Sequence, residues 1–426
     1  MHDEFTLWLV PDTAYSRARC MSNLRDVRNS NPEDPRTSGR VVLGFGNLAQ
    51  MSMRRRLHQD NPEACAPVAW SAEFATPSPS ELRGLRERMP EDWGFIASEW
   101  PEAWGKTYLP YQRWRGPYRC LTIRDRGGSV TGVLPLATMA FGPIKFTTLA
   151  GYYQPYRGIA VVADPLLMQS TCKKMVEVLA ADLTFRAALR MGPISADDMN
   201  VAALLSTLCA SGWRVGRRAT GQTFTIDLPP LAEFTKACKG IIKKVTYYQR
   251  RLRTQANLII KEFTSLDQES WVRVLADVEA VEKNSWVFKD RGLTKFSGAN
   301  DRQFWLRVLS DAYLSSVIAI WIMYVDDKPV SFSLNLNVGR TKHIVANSHD
   351  DAFAVHSPGH IVAYHVLVNA IERGITCVDW GQGDDSGYKQ RWLAKPSSIV
   401  HDVVALPPGL LARGLERVFR RARYEF

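Results

Sequence analysis

Four side chains in the C-terminal half are of types that can take a proton from an amine or a hydroxyl group: Glu282, His349, Asp350 and Asp379. Carboxylates and histidines are the usual general bases of enzymes. Asp379 ends a predicted strand, where α/β sheets place ligands. A carboxylate that is only solvated, or that caps or braces a loop, has the same sequence signature. Both interpretations therefore stay open for Glu282 and Asp379.

A lysine and several aromatic residues accompany these candidates. Lys389, in the run Gly387-Tyr388-Lys389, could steady a carboxylate, a phosphate or a developing oxyanion, or it could be a surface lysine. Trp286, Tyr388 and Trp392 could form the walls of a site for an acceptor such as a sugar. Core packing is the alternative for at least one of the three.

The segment Ser357-Pro358-Gly359-His360 opens a predicted helix. A helix N-terminus presents free N–H groups and the positive end of the helix dipole, so it can bind phosphate. Gly359 allows a ligand to approach the backbone closely, and Pro358 sets the direction of entry. The strand–loop–helix–strand context makes this segment a candidate site for a phosphate-bearing cofactor.

Several kinds of chemistry have no support in the sequence. It contains no GxSxG motif, and its eight histidines define no pairing. Its seven cysteines are scattered and form no CxxC pair, which argues against a zinc site and a disulfide framework. No apolar run is long enough to cross a membrane, and the acidic start does not resemble a secretory signal. We therefore expect a cytoplasmic protein with no metal.

The elements that must position these residues occur twice. In the C-terminal half, three apolar runs, a helix and another apolar run follow one another: Val317–Val325, Pro329–Val338, Thr341–Ser348, Gly359–Arg373 and Ile375–Trp380. The N-terminal half repeats this order: Arg119–Arg124, Val130–Met139, Phe146–Leu149 with Gly158–Val162, Pro165–Leu183 and Ala187–Met191. A helical crossover implies that the last two strands of each set are parallel. The sequence predicts a duplicated α/β (α+β) fold with a cleft in or between the halves.

This repetition divides the chain into four predicted parts. They are a poorly ordered extension (1–85), a first unit (86–222), a second unit with the active site (223–405) and a basic amphipathic helix (406–426). The last part predicts a docking helix and leaves peripheral membrane contact open. Further helices are predicted over Ser270–Val287 and Asp301–Leu314.

The predicted helix Phe234–Gln255 is the strongest charge feature of a chain whose net charge is +11. It carries seven basic residues and no acidic one: Lys236, Lys239, Lys243, Lys244, Arg250, Arg251 and Arg253. Such a run is usually a solvated face. Because like charges without acidic neighbours repel each other, a bound anion is the alternative prediction.

In order, these motifs resemble the BioF2-like acetyltransferases of the CelD/BcsL family, a branch of the GNAT acyltransferases related to the double-domain Fem-type enzymes. The matching segments are Glu282–Trp286, Ser357–Gly359, Asp379–Gly381, Gly387–Lys389 with Trp392, and the basic helix around Arg250. The resemblance covers residues 90–405. Its usual lysine directly after Ser-Trp is Val287 here, and Lys289 is the nearest lysine.

The resemblance implies two GNAT-like units, each a mixed twisted sheet with flanking helices. It also implies acyl transfer from acetyl-CoA or another acyl-CoA to a sugar or cell-envelope (exopolysaccharide) precursor. The donor would lie on Ser357–His360. Glu282, Asp379 and Lys389 would be catalytic, and the acceptor would contact Trp286, Lys289, His349, Asp350, Tyr388 and Trp392.

Two alternatives remain from the sequence. A Fem-type transferase would use aminoacyl-tRNA, the only nucleic acid expected as a partner, and the basic helix would suit its phosphates. The long coiled-coil insertion typical of that group is not evident. The other alternative is a module for polysaccharide assembly without catalytic activity.

Overall fold

A computed structural model describes residues 70–90, 99–111, 116–141, 144–151, 158–182, 187–292, 294–383 and 387–426. The strands in this part of the chain are β1 Ser71–Phe74, β2 Tyr118–Arg124, β3 Val130–Phe141, β4 Ile144–Leu149, β5 Ala160–Val161, β6 Ala188–Ser195, β7 Arg214–Asp227, β8 Leu258–Thr264, β9 Ile318–Val325, β10 Lys328–Val338, β11 Thr341–His349, β12 Cys377–Gly383 and β13 Lys395–Leu406. The helices are α1 Pro79–Arg86, α2 Glu99–Tyr108, α3 Pro165–Ala181, α4 Met199–Ala210, α5 Leu231–Ala237, α6 Lys239–Arg253, α7 Gln268–Lys283, α8 Trp286–Arg291, α9 Ala299–Ser310, α10 Ala312–Val317, α11 Pro358–Glu372 and α12 Leu410–Arg421. Short 3-10 turns lie at Leu109–Tyr111, Asp351–His356 and Gln390–Trp392.

The described strands form one mixed sheet that consists of two halves. Its order is β1-β2-β3-β4-β6-β13-β7-β12-β11-β10-β9-β8, and β5 pairs with β3. Each half contains one parallel pair, β4–β6 in the first and β11–β12 in the second. These pairs are the crossovers that the sequence predicts, so the duplicated α/β plan is confirmed.

The two halves exchange their last strands. β13, the final strand of the chain, pairs with β6 of the first half, whereas β7 pairs with β12 of the second half. β13 and β7 also pair with each other over most of their length. The predicted boundary at 222/223 therefore falls inside a single strand, and residues 69–426 form one compact unit.

A buried ion network joins the exchanged strands. The Asp402 carboxylate on β13 accepts hydrogen bonds from Arg190 on β6, from Arg218 on β7 and from the Tyr424 hydroxyl. Arg190 and Asp402 are both almost fully buried. A buried charge is stable only when its partners are in place, so this network favours the exchanged pairing over alternative registers.

Three predicted helix assignments and one segment need correction. The predicted helix Phe234–Gln255 is two helices, since α5 ends and α6 begins at Cys238. Ser285 caps α8 and Asp311 caps α10, so each of the other two predicted helices also divides into two. Residues 70–85 form β1 and most of α1 rather than a disordered tail, because β1 pairs with β2. The rest of the predicted extension lies outside the described residues.

Two apolar layers cover the second half of the sheet. On β9, Ile320 and Ile322 belong to the layer under α7 and α9, whereas Trp321 and Met323 belong to the layer under α6 and α11. This is the alternation of period two expected for a strand that is covered on both faces. The sheet of this half is therefore held between two helical layers.

Candidate active site

The strands β11 and β12 separate after a short parallel pairing. They are paired at three positions only, Thr341 with Cys377, Lys342 with Val378 and His343 with Asp379. β11 then continues to His349 along β10, and β12 continues to Gly383 along β7. Both strands have register shifts beyond the last pair, which help to direct them apart. We call the resulting opening at their C-terminal ends the notch, and this is where α/β sheets place ligands.

The last pair before the notch consists of a histidine and a carboxylate. His343 Nδ1 lies 3.2 Å from Asp379 Oδ2, and Asp379 Oδ1 accepts a hydrogen bond of 2.8 Å from the Gly381 N–H. His343 is buried and Asp379 is half-buried. No motif in the sequence points to His343. Only the strand register identifies it, because 36 residues separate it from Asp379.

Helix α11 begins beside the notch with an open N-terminus. Its N-cap Ser357 is in the left-handed region (φ 51°), and its side chain makes no capping hydrogen bond. Pro358 takes the first helical position. In α3, the helix at the same place in the first half, the Asp164 side chain caps the N–H groups of Leu166 and Leu167. The N-terminus of α3 thus has its own anion, whereas that of α11 is available to an external one.

Aromatic and imidazole rings surround Gly359 at the start of α11. The Tyr388 hydroxyl donates to the Gly359 carbonyl at 3.1 Å. The His360 and Tyr388 ring centroids are 4.5 Å apart, and Trp392 Nε1 donates to His360 Nδ1 at 3.1 Å. Trp392 is fully buried, so it packs in the core as the alternative reading of the sequence predicts. A Cβ atom at Gly359 would lie 3.8 Å from His349 Nδ1, which places His349 in the same cluster.

Burial and positive charge keep these rings neutral. Burial, together with the nearby cations Arg391 and Lys244, lowers the pKa of His360 to about 4. Burial also lowers the pKa of His349, although Asp351 and Asp350 oppose that shift. Burial raises the pKa of Tyr388. At neutral pH the start of α11 is therefore lined by neutral rings, with the charges of Lys244 and Arg391 close by.

The cationic surface extends along α6. Its lysines and arginines, together with Lys236, are all exposed. Among the described residues, none of these seven side chains forms an ion pair. Tyr247 is also exposed on this helix. The basic residues that the sequence singles out thus form an uncompensated cationic surface, and the charge of Lys244 acts on His360 at the start of α11.

Lys389 braces one wall of the notch. Its Nζ donates to the carbonyl groups of Trp380, Gly381 and Gln382 at 2.6, 3.1 and 2.7 Å. These three bonds use every N–H of an ammonium group, so none is left for an oxyanion. Burial lowers the pKa of Lys389 to about 8; Asp379 opposes this shift and Lys295 adds to it. The geometry argues against the predicted oxyanion role and makes Lys389 a positioning residue.

Glu282 holds a loop. Its carboxylate accepts hydrogen bonds from the N–H groups of Lys295, Phe296 and Ser297 and from the Ser297 hydroxyl, at 2.6–3.0 Å. Four donors fill the lone pairs of a carboxylate. The arrangement argues against a role for Glu282 as a base. Its loop reaches the notch, since the charge of Lys295 acts on Lys389.

The remaining predicted residues lie in two adjoining segments. Asp350 is buried, accepts from Lys328 Nζ at 2.7 Å and caps the 3-10 turn that follows it, so its role here is structural. Asp351 N–H donates to the Asn284 carbonyl, which brings residues 349–351 beside the segment that carries Trp286 and Lys289. Lys289 Nζ lies 3.8 Å from an Asp351 carboxylate oxygen, and Trp286 is 40% exposed. These side chains lie at the edge of the site and are not part of the Asp379–His343 pair.

Comparison with known proteins agrees with this geometry. Residues 241–390 match a family model described as "Acetyltransferase (GNAT) domain". The solved structure of FemX has a TM-score of 0.56 at 14% identity, over 81% of this chain and 99% of that one. Comparison with curated proteins finds no match. Residues 241–390 are therefore similar to a GNAT-type acetyltransferase domain, and the described part of the chain shares the fold of FemX.

Two further solved structures are similar at lower scores. One is the C-terminal domain of a putative lysylphosphatidylglycerol synthetase from Agrobacterium fabrum, with a TM-score of 0.46 at 13% identity over 75% of this chain and 95% of that one. The other is a tandem GNAT protein from the clavulanic acid biosynthesis pathway, with a TM-score of 0.38 at 11% identity over 80% of this chain and 100% of that one.

Within the described residues, no group of three or more His, Cys, Asp or Glu side chains could hold a metal ion.

Proposed function

We propose that this protein transfers an acyl group from acyl-CoA to an amine or hydroxyl of a sugar or cell-envelope (exopolysaccharide) precursor. The observation that carries the proposal is the notch between β11 and β12, with the Asp379–His343 pair at its base and the open N-terminus of α11 beside it. The class of acceptor rests on the resemblance to the BioF2-like CelD/BcsL enzymes.

In this proposal the donor lies along the start of α11. The Gly359 N–H group and the dipole of α11 would meet the pyrophosphate of CoA, since Pro358 has no N–H and that of His360 donates to the Ser357 carbonyl. Lys244 and Arg391 would add positive charge. The neutral His360 and Tyr388 rings would provide an apolar surface next to those phosphates. The thioester would then extend into the notch towards Asp379.

The proposed reaction is a direct transfer. The acceptor nitrogen or oxygen attacks the thioester carbonyl carbon, its proton passes to the Asp379–His343 pair, and the C–S bond breaks to release CoA thiolate. The pair then returns the proton to the thiolate. With a proton on Nδ1 facing Asp379, the carboxylate would stabilise the imidazolium that forms when the pair takes up the proton.

A calorimetric titration of the full chain with acetyl-CoA, at two salt concentrations, tests the donor. Gly84→Glu is the control, because it adds the same charge on α1, at a glycine whose Cβ would meet nothing within 4 Å, and it should leave affinity within about twofold. Gly359→Glu places a carboxylate at the start of α11 and should weaken binding by at least about tenfold. Absent binding to wild type, or equal binding to the two variants, would rule out this donor site.

Aminoacyl-tRNA is a second candidate donor, and the uncompensated basic face of α6 with exposed Tyr247 favours it. Phosphate contacts to RNA are strongly salt-dependent, with a slope of about −0.7 in log K per contact on single strands. Lys243→Gln/Arg250→Gln/Arg251→Gln should flatten that slope by about 2 if all three side chains contact phosphates. Specific, salt-sensitive binding of an aminoacyl-tRNA without any acetyl-CoA binding would replace our proposal with this one.

A further inference from the structure

The C-terminal helix α12 exposes two leucines at its first turn. Leu410 is 85% exposed and Leu411 is 51% exposed, and they follow the turn Pro407-Pro408-Gly409. The opposite face of the helix carries Ala412, Leu415 and Phe419, which are buried. Leu410 therefore lies on the outward side, away from the apolar contacts that hold the helix.

Arginines occupy the rest of the outward side. Arg417 and Arg421 lie seven and eleven positions after Leu410, so they continue its stripe along the helix. Arg413 and Arg423 are also exposed, and no ion pair among the described residues involves any of these four arginines. Glu416, the only acidic residue of α12, is buried and bonded to Arg214 and Arg420. The outward side thus carries positive charge and apolar surface, with no negative charge.

The chain holds α12 in this orientation from both ends. β13 leads into the helix, and after it the Tyr424 hydroxyl donates to Asp402 at 2.7 Å. Glu425 then exchanges two backbone hydrogen bonds of 2.8 Å with Arg217 on β7. The exposed leucines therefore cannot turn inwards without breaking the buried ion network.

We propose that the outward side of α12 docks this protein onto an anionic phospholipid surface. Leucines at one end of a basic amphipathic helix can enter the headgroup boundary while arginines meet lipid phosphates. The helix would lie on the surface, since none of the described helices is long and apolar enough to cross a membrane. This proposal does not depend on the acyl-transfer proposal.

Co-flotation of the full chain with vesicles tests the docking. We expect binding to equimolar phosphatidylglycerol and phosphatidylcholine vesicles, and little binding to phosphatidylcholine alone. Arg413→Gln/Arg417→Gln/Arg421→Gln should weaken binding about 100-fold, at about fivefold per arginine. Leu410→Ser/Leu411→Ser keeps the charge and should weaken binding by at least about tenfold, even if the two leucines are only partly inserted.

Two controls with the same loss of charge separate local docking from the overall charge of the protein. Arg126→Gln/Lys173→Gln/Arg307→Gln changes exposed residues elsewhere and should cost less than about threefold. Lys243→Gln/Arg250→Gln/Arg251→Gln does the same on α6. Our proposal is overturned if either control costs as much as the α12 arginine variant, if the leucine variant binds like wild type, or if wild type does not bind the anionic vesicles.

Discussion

His343 faces Asp379 at the last residue pair that β11 and β12 share before they separate, with Nδ1 and Oδ2 at 3.2 Å. The equivalent pair in the first half is Thr148 and Arg190, the third and last pair of β4 and β6. In the first half, the Arg190 guanidinium donates hydrogen bonds to the Asp402 carboxylate. Two halves with the same strand order thus carry different chemistry at the same register position, and only the second has a group that can accept a proton.

Replacing either member of the Asp379–His343 pair should remove turnover. We expect Asp379→Asn and His343→Gln each to lower the rate of CoA release from acetyl-CoA, with amino sugars as test acceptors, by about 100-fold or more. Acetyl-CoA affinity should stay within about threefold. The double variant should lose little more than either single one, because the two residues act as a unit.

Thr148→Val, at the equivalent position of the first half, is the control and should keep full activity. Wild-type rates in both the Asp379→Asn and the His343→Gln variants would exclude the pair as the base.

Lys389 should affect the binding of acetyl-CoA, because it holds one wall of the notch in place. Lys389→Met removes three hydrogen bonds to the β12 carbonyl groups and should raise the KM for acetyl-CoA by about tenfold or more. Gly383→Ala should have a smaller effect in the same direction, since its Cβ would lie 3.0 Å from Lys389 Nζ. Gly240→Ala, which meets nothing within 4 Å, is the glycine control. A KM that is unchanged in Lys389→Met would contradict the bracing role.

The lowered pKa of Lys389 should produce two opposite dependences on pH. Burial lowers its pKa from 10.5 to about 8 in the folded protein, so between these values the unfolded chain binds more protons. The free energy of unfolding should therefore gain a contribution that rises with pH over this range. Activity should fall above about pH 8, because the neutral amine donates fewer hydrogen bonds. Both features should be absent in Lys389→Met, as urea unfolding and rate profiles would reveal.

Glu282 should stabilise the protein more than it aids the reaction. Glu282→Gln cannot accept all four hydrogen bonds of the 295–297 loop, and we expect a loss of about 2–3 kcal/mol in urea unfolding. Glu269→Gln, on the exposed side of the same helix, should change stability by less than about 0.5 kcal/mol. If Glu282→Gln instead lost turnover with unchanged stability, Glu282 would regain its place as a candidate base.

The ionised carboxylate of Asp402 should stabilise the pairing of the exchanged strands β7 and β13 at neutral pH. Burial raises the pKa of Asp402, but Arg190, the Tyr424 hydroxyl and Arg218 outweigh it and hold the pKa below the usual value of 3.8 in the folded state. Its contribution to stability is therefore complete above about pH 4 and is lost as the pH falls through the lowered pKa. Asp402→Asn leaves two arginines without their carboxylate and should cost about 3–5 kcal/mol at pH 7.

Asp402→Asn should also reduce the slope of stability against pH below pH 4. Asp227→Asn, on the exposed end of β7, is the matched control. Unfolding curves that coincide for Asp402→Asn and wild type would show that the network does not support the exchange.

The sequence alone was sufficient for the repeated order of elements. Runs such as Thr341–Ser348 and Gly359–Arg373 have clear periods of 2 and 3.6, and the structure has β11 and α11 there, within one residue at most ends. The sequence also located the start of α11 and the basic helix, since Pro-Gly and runs of lysine are local patterns. The predicted strand end at Trp380 is wrong, because β12 continues to Gly383 and Asp379 is its third residue.

Tertiary structure alone decided which of those residues meet. The partner of Asp379 depends on the register of two strands joined through α11, and no local pattern specifies that register. The exchange of β7 and β13 likewise depends on contacts such as Arg190 with Asp402, which are 212 residues apart. Glu282 and Lys389 are residue types that often serve in catalysis. In the fold, however, backbone N–H groups take up the hydrogen-bonding capacity of Glu282, and backbone carbonyl groups take up that of Lys389. A side chain's type is written in the sequence, whereas its availability for chemistry depends on what the fold places around it.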